Sequence, residues 1–342
     1  MITRRKFFSV IAVWATSYGR SHANDSVTVL APEPRADSRV ADLARNLSTA
    51  NLSVTAAPGY GPAQNVARLL SQRGVEVAVL PADVLDYLRR RRAQPEAAGS
   101  LRYIGQLYSA PVQVLAQQRI ASVGQLAGQR VSFGPQDSVS YVTGSQLFSL
   151  LGLPVEPLLM GHSEALRRLL RRELAAIVYA GTVPERMFSD LNRQQDGVQF
   201  LPLRLTPGLS RTYLPAQLSI QDYPLLIGEG EAGIGSPVPT IAVPMLLAVY
   251  NWPLGSPAHR ALSLFAAQFV RISPTALEPP GWTRFVPETA SQAIAQNPVS
   301  PPGNLASEQR EKLFREYENW RREQRREALF EDYLRWLQNH RP

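Results

Sequence analysis

Cysteine is absent from the 342-residue chain, which excludes disulfides, thiolate metal sites, thiol nucleophiles and cysteine-borne lipid anchors together. Histidine is scarce: His22, His162, His259 and His340 are the only four, too few and too scattered for a multi-histidine metal centre. Lysine is nearly missing. Only Lys6 and Lys312 occur among the 36 basic residues, and this bias toward Arg reads as base composition of the source genome rather than a binding strategy. No apolar run reaches the ~20 residues that a transmembrane helix needs. What is present is 44% hydrophobic residues, enough to exclude a disordered chain, and a length that suggests about two domains.

Residues 1–23 read as an export signal. Arg4, Arg5 and Lys6 form a basic start, Phe7 to Ala15 a short apolar stretch, and Ser21-His22-Ala23 a small-residue cleavage site. Thr3-Arg4-Arg5-Lys6-Phe7-Phe8 resembles a twin-arginine signal, which makes that route the expected one over general secretion. The segment carries four positive charges (Arg4, Arg5, Lys6, Arg20), so its removal takes the formal +8 of the full chain to +4. That mild charge, with no aromatic-interleaved basic patch, argues against a nucleic-acid partner. A soluble periplasmic protein is expected.

From Ser26 onward short β-rich runs alternate with helical stretches. Strands are expected at 27–30, 52–56 and 75–80, and helices at 38–48, 63–72 and 82–92; this rhythm indicates a mostly parallel sheet covered by helices. A second set follows, with strands at 102–108, 112–116, 130–133, 155–160, 174–179 and 198–203. Helices are expected between them at 138–150, 163–172 and 184–191, and a buried strand at 239–250. Residues 274–304 are rich in Pro and Gly and read as a linker. Residues 305–342 are strongly helical and close to charge-neutral, with Leu313, Tyr317, Trp320, Phe330, Tyr333 and Leu337 on one face. That helix either docks on its own body or receives a partner. The Arg runs at 89–92 and 167–172 read as solvated helix faces.

Three places invite chemistry. Gly161-His162-Ser163-Glu164-Ala165 nearly matches the nucleophile elbow of serine hydrolases, but Ala replaces the last Gly and neither His259 nor His340 has the context of a base. The expected role of Ser163 is to cap the helix that begins there. The other two are strand-to-helix junctions, Pro58-Gly59-Tyr60-Gly61-Pro62 before Asn65, and Ser132-Phe133-Gly134-Pro135-Gln136-Asp137-Ser138-Val139-Ser140. Such junctions point free N–H groups and a positive dipole end at a carboxylate or phosphate. The same loops also serve as generic helix caps.

These segments, in order, resemble the solute-binding subunits of TRAP transporters, specifically the TAXI subfamily with its type II periplasmic-binding-protein fold. The resemblance rests on Gly59-Tyr60-Gly61 with Asn65, on 75–83 and on 101–116. It rests most specifically on Val123-Gly-Gln-Leu-Ala-Gly-Gln-Arg-Val-Ser-Phe-Gly134, which is similar to the family's Asp-Leu-Lys-Gly-Lys-Arg-Val-Ser-Val-Gly run. Tyr179-Ala180-Gly181 with Pro184, Asp222-Tyr223-Pro224 and 240–243 follow. The departures fall at ligand loops: Ala31-Pro-Glu-Pro-Arg-Ala-Asp-Ser38 stands where the family has Gly-Gly-Thr-Tyr, and Asp137-Ser138-Val139-Ser140 where it has Gly-Ser-Gly-Thr. Glu33 and Asp37 would repel an anion placed nearby.

The resemblance implies a two-lobed α/β fold: lobe 1 over 24–110, lobe 2 over 111–235, and a return to lobe 1 over 236–273. The linker and the charged C-terminal helix complete the chain. It implies a periplasmic protein that captures a small carboxylate or amino acid between its lobes and hands it to inner-membrane transporter subunits. Expected ligand contacts are Gly59, Tyr60, Gly61, Asn65, Ser132, Gly134, Ser138, Ser140 and Tyr179. No catalytic residue, metal or cofactor is expected. The alternative keeps the fold but makes it an assembly factor that meets a periplasmic protein partner through the C-terminal helix; a serine hydrolase around Ser163 ranks below both.

Overall fold

The computed structural model describes residues 25–72, 74–228, 236–273 and 278–288. The export segment, the charged segment 305–342 and all of the linker but 278–288 lie outside the described residues.

The chain opens with β1 (Asp25–Leu30), α1 (Ser38–Leu47), β2 (Leu52–Ala57), α2 (Pro62–Leu70) and β3 (Glu76–Pro81). The helix α1 starts because Asp37 accepts the Arg39 N–H, and it stays because Val40, Leu43, Ala44 and Leu47 bury one face at 3/4 spacing. All six residues of β3 are buried, as expected for a parallel strand covered on both sides. Next come α3 (Val84–Arg90), the single turn α4 (Ala97–Ser100) and β4 (Leu101–Gln117). Two strands were expected at 102–108 and 112–116; they are one. Pro111 does not break β4 because the strand changes partner there, pairing with β10 up to Pro111 and with β7 from Val112. A missing N–H at a changeover costs little.

The second half runs β5 (Arg130–Ser132), α5 (Val139–Leu150), β6 (Glu156–Leu158), α6 (His162–Leu170), β7 (Ala176–Ala180), the short helices α7 (Arg186–Ser189) and α8 (Arg193–Asp196), and β8 (Val198–Phe200). The chain then returns through β9 (Leu214–Leu218), α9 (Pro224–Ile227), β10 (Val238–Tyr250) and α10 (Pro257–Ile272). Neither β9 nor α10 was apparent in the sequence pattern. Ser163 is not the cap of α6: Gly161 holds that position and Ser163 is the second helical residue. Arg167 and Arg168 both pair with Glu164 on the solvated face of that helix.

Strand order in the first half is β2-β1-β3-β10-β4, with β1, β2 and β3 parallel and β10 antiparallel to its neighbours. The second half repeats the plan as β6-β5-β7-β4-β8, β4 now taking the antiparallel place. Each half therefore borrows its inserted strand from chain that also serves the other. This mixed α/β architecture is the expected fold class. Among the described residues no helix is long and apolar enough to cross a membrane.

Side chains also lock the halves together. Tyr87 on α3 meets Tyr141 on α5 edge-on, 5.9 Å between centroids, and Arg91 donates to the Tyr141 hydroxyl. Asp83, fully buried at the end of β3, accepts from Tyr213 Oη (2.9 Å) and from Thr143 Oγ1 on α5 (3.4 Å). Burial pushes its carboxyl up to about 7, outweighing the two hydroxyl donors. A raised carboxyl favours the folded state when protonated, so its contribution is full below about pH 4 and declines as pH rises through about 7. Asp83→Asn should therefore abolish a stability slope of up to about 1.4 kcal/mol per pH unit across that window. Relative to wild type it should gain stability between pH 5 and pH 8. Parallel pH profiles of thermal unfolding for the two proteins would refute this assignment.

Candidate functional site

The carboxyl ends of β1 and β7 face each other, and there the two halves enclose a cavity of about 300 Å³. The first half supplies its 31–39 loop, chiefly Glu33, Arg35, Asp37 and Arg39, and the second supplies Val139, the 179–182 stretch and Glu185. Tyr108 and Ala110 of β4 and Met245 of β10 line the place where the chain crosses. Carboxyl ends of parallel strands are where α/β sheets leave a crevice, because the following loops diverge.

The charges in this cavity are ordered. Arg39 binds both oxygens of Asp37 (3.1 and 3.0 Å) and lies 3.6 Å over the Tyr108 ring. Glu33 pairs with Arg35 at 2.9 Å, and its other oxygen accepts the Val139 N–H at 3.3 Å. That amide is the first of α5, so a carboxylate of the first half sits on the positive end of a helix in the second. The expectation that Glu33 and Asp37 stand as repelling charges is corrected: each is neutralised by the Arg two residues on, at the spacing of 33/35 and 37/39.

Glu185 differs. It accepts from Thr182 Oγ1 (3.3 Å) and from the Met187 N–H (3.5 Å), yet makes no ion pair among the described residues. Its own N–H donates to Tyr223 Oη at 2.6 Å, Tyr223 donates to Gln113 Oε1, and Gln113 Nε2 donates to the Thr182 carbonyl at 2.8 Å. Gln113 and Tyr223 are buried, so this chain of bonds fixes the loop that presents Glu185. Burial, with Glu185 alongside, pushes the Tyr179 phenol well above its usual range. His162 meets Tyr179 edge-on at 5.0 Å between centroids; burial lowers its pKa and keeps it neutral near pH 7.

Of the nine expected ligand contacts, Tyr179 alone lines this cavity. Asn65 is fully buried; its Oδ1 accepts the Tyr60 N–H and its Nδ2 donates to the Ala31 carbonyl, both at 2.9 Å. It ties the Gly59-Tyr60 loop to the end of β1, against whose carbonyl Gly59 packs. Gly61 has φ +96° and lies so close to the Asp137 carbonyl that a Cβ would fall 2.5 Å from it. The two junction loops therefore seat on each other instead of flanking an open space. Tyr60 stays 47% exposed. Ser132 Oγ accepts the Gly134 N–H (3.2 Å), Ser138 Oγ accepts the Tyr141 N–H (3.1 Å) as the cap of α5, and Ser140 Oγ accepts the Ala180 N–H (3.0 Å). Gly134, at φ +80°, leaves room that the His162 ring fills. The Asn65 amide thus bonds backbone on both sides, and each of these three hydroxyls accepts a backbone N–H. Ser163 and His259 lie in different halves, on α6 and α10, and His259 is buried beside Ser263.

Among the described residues no group of three or more His, Asp or Glu is placed to hold a metal. Residues 38–252 match the model of the NMT1-like family. No curated protein matches the chain in sequence. Among solved structures the chain is similar to a TctC solute binding protein from Polaromonas, at 14% identity over 79% of this chain and 88% of that one, with a TM-score of 0.42. It is also similar to an ABC transporter periplasmic binding protein from Brucella ovis with glutathione bound, at 12% identity over 82% and 74%, TM-score 0.41. The arginine-bound form of truncated ArgBP from T. maritima matches at 10% identity over 73% and 97%, TM-score 0.42.

The assigned roles separate by stability. Asn65→Ala leaves a buried carbonyl and an amide unpaired and should cost about 2–4 kcal/mol in urea unfolding. Ser138→Ala loses one cap bond and should cost about 1 kcal/mol. Equal and small losses for both would contradict the structural role of Asn65.

Proposed function

Since the chain belongs to the NMT1-like family, we propose that it is an exported periplasmic solute-binding protein, not an enzyme, that holds a small amino acid-type ligand between its halves. The supporting observation is the cavity of about 300 Å³ to which both halves contribute charged groups. Its size suits a metabolite, at the lower end of the range for ligand pockets. Arg35, whose side chain is 69% exposed and gives Glu33 one hydrogen bond, keeps N–H groups for a ligand carboxylate. Glu185, the acid without a cation, receives an ammonium group. Glu33 already occupies the first amide of α5, so a second ligand carboxylate has no seat there. A monocarboxylate with an amino group fits this pattern better than a dicarboxylate.

In this reading the halves close over the ligand and hand it to inner-membrane transporter subunits of the TRAP type, as the resemblance to the TAXI subfamily implies. The contact between Gly61 and Asp137 favours a second reading. In it the cleft has been given up and the fold serves a protein partner through residues 305–342.

Refolding the mature protein from denaturant strips co-purified ligand, after which a thermal-shift screen of amino acids and small carboxylates decides. A ligand at 100 times its dissociation constant should stabilise the fold by about 2.7 kcal/mol. The shift should be saturable, larger for an amino acid than for succinate, and reduced at least about tenfold in affinity by Glu185→Gln or Arg35→Gln. A response to dicarboxylates alone would overturn the amino acid assignment. No response from a cooperatively folded sample would favour the second reading.

A further inference from the structure

Glu33 belongs to the loop after β1, yet its carboxylate reaches the other half. Its Oε1 accepts the Val139 N–H at 3.3 Å, 106 residues away in sequence, and its Oε2 pairs with Arg35 at 2.9 Å. The Arg35 side chain is 69% exposed, so that ion pair contributes little by itself. Val139 is the first residue of α5, a helix of 12 residues whose own first turn carries no acidic side chain. The amides of a first turn have no partner within the helix, and together with its positive dipole end they favour an anion. Ser138 Oγ accepts the Tyr141 N–H, and the anion at the Val139 N–H is Glu33.

The backbone of Glu33 is fixed as well. Its carbonyl accepts the Gly59 N–H at 2.9 Å and the Arg35 N–H at 2.7 Å. Gly59 approaches the Ala31 carbonyl so closely that a Cβ would fall 1.7 Å from the oxygen, an approach only glycine permits. Asn65 bonds the Tyr60 N–H and that same Ala31 carbonyl. The Gly59-Tyr60 stretch therefore sets the position of Glu33, and the Glu33 carboxylate in turn meets α5. Glu33 and Val139 both line the first cavity. A ligand carboxylate brought to this end of α5 would meet the place that Glu33 takes.

We infer that Glu33 is a specificity-determining residue: a carboxylate of the chain's own that fills the anion seat of α5 from the opposite half and bars a ligand carboxylate from it. The first junction loop, on this account, holds Glu33 in place and does not itself meet a ligand. Which ligands Glu33 excludes rests on the amino acid reading of the cavity; its hold on the α5 amide rests on the contacts above alone.

The test is Glu33→Ala in the refolded mature protein, with acetate as the substitute carboxylate and acetamide as its uncharged counterpart, at constant ionic strength. In the variant, acetate should shift the Val139 backbone amide resonance saturably and raise the unfolding midpoint, with an affinity at least about tenfold above that for wild type. Acetamide should do neither. Glu33→Ser serves the same comparison should the Glu33→Ala variant misfold. In a protein that binds amino acids, either substitution should also raise the affinity for L-aspartate relative to L-alanine at least about tenfold. An acetate response equal in variant and wild type, an equal response to acetamide, or an unchanged aspartate-to-alanine ratio would each overturn the inference. The acetate arm reads Glu33 even where no amino acid binds, so failure here and failure of the amino acid reading are told apart.

Discussion

The pairing of β4 with β10 is the constraint on which the rest depends. These two antiparallel strands run side by side from Leu101 to Pro111 and from Ala242 to Tyr250, and beyond Pro111 the first of them becomes an inner strand of the second half. Thr240 Oγ1 donates to the Val112 carbonyl at the changeover, so a side chain of β10 follows β4 across it. Both halves share one hydrogen-bonded register. The cavity floor is built on that register, through Tyr108, Ala110 and Met245, so its geometry follows from backbone pairing rather than from loop packing.

Upon this floor the chain places charges in pairs and leaves one over. Arg39 and Arg35 neutralise Asp37 and Glu33, and Glu33 also meets the dipole end of α5. Of the three acids that line the cavity, Glu185 makes no ion pair among the described residues, and its loop is held by Tyr223 and Gln113 beneath it. A charge held rigidly in a partly enclosed space retains its attraction for a ligand, because no side-chain movement relieves it and little water screens it.

Buried polar groups elsewhere divide by whether they are satisfied. Asp83 and Asn65 are both fully buried and both bonded, and each fastens pieces of chain that are distant in sequence. Gln146 is buried and its amide oxygen is unbonded. The amide oxygen of Gln94 and Nδ1 of His162 are likewise buried without a hydrogen-bond partner.

The sequence by itself determined the secondary elements of the first half, because their signals are local. The 3/4 spacing of Val40, Leu43, Ala44 and Leu47 and the apolar run of β3 need no partner to be read. It also determined that two α/β sets alternate with a late buried strand, which is the architecture found. It did not reveal that β4 is continuous, since Pro111 breaks the pattern and only the change of partner there makes it harmless. Nor could it assign the polar residues of the junction loops. Asn65, Ser132, Ser138 and Ser140 carry groups that can bind either a ligand or a backbone amide, and the choice depends on whether a free N–H or carbonyl from a distant segment lies within about 3 Å. The tertiary structure supplied the Ala31 carbonyl to Asn65 and the Ala180 amide to Ser140, and set Tyr179, Glu185 and the arginines of the first loop around the cavity instead.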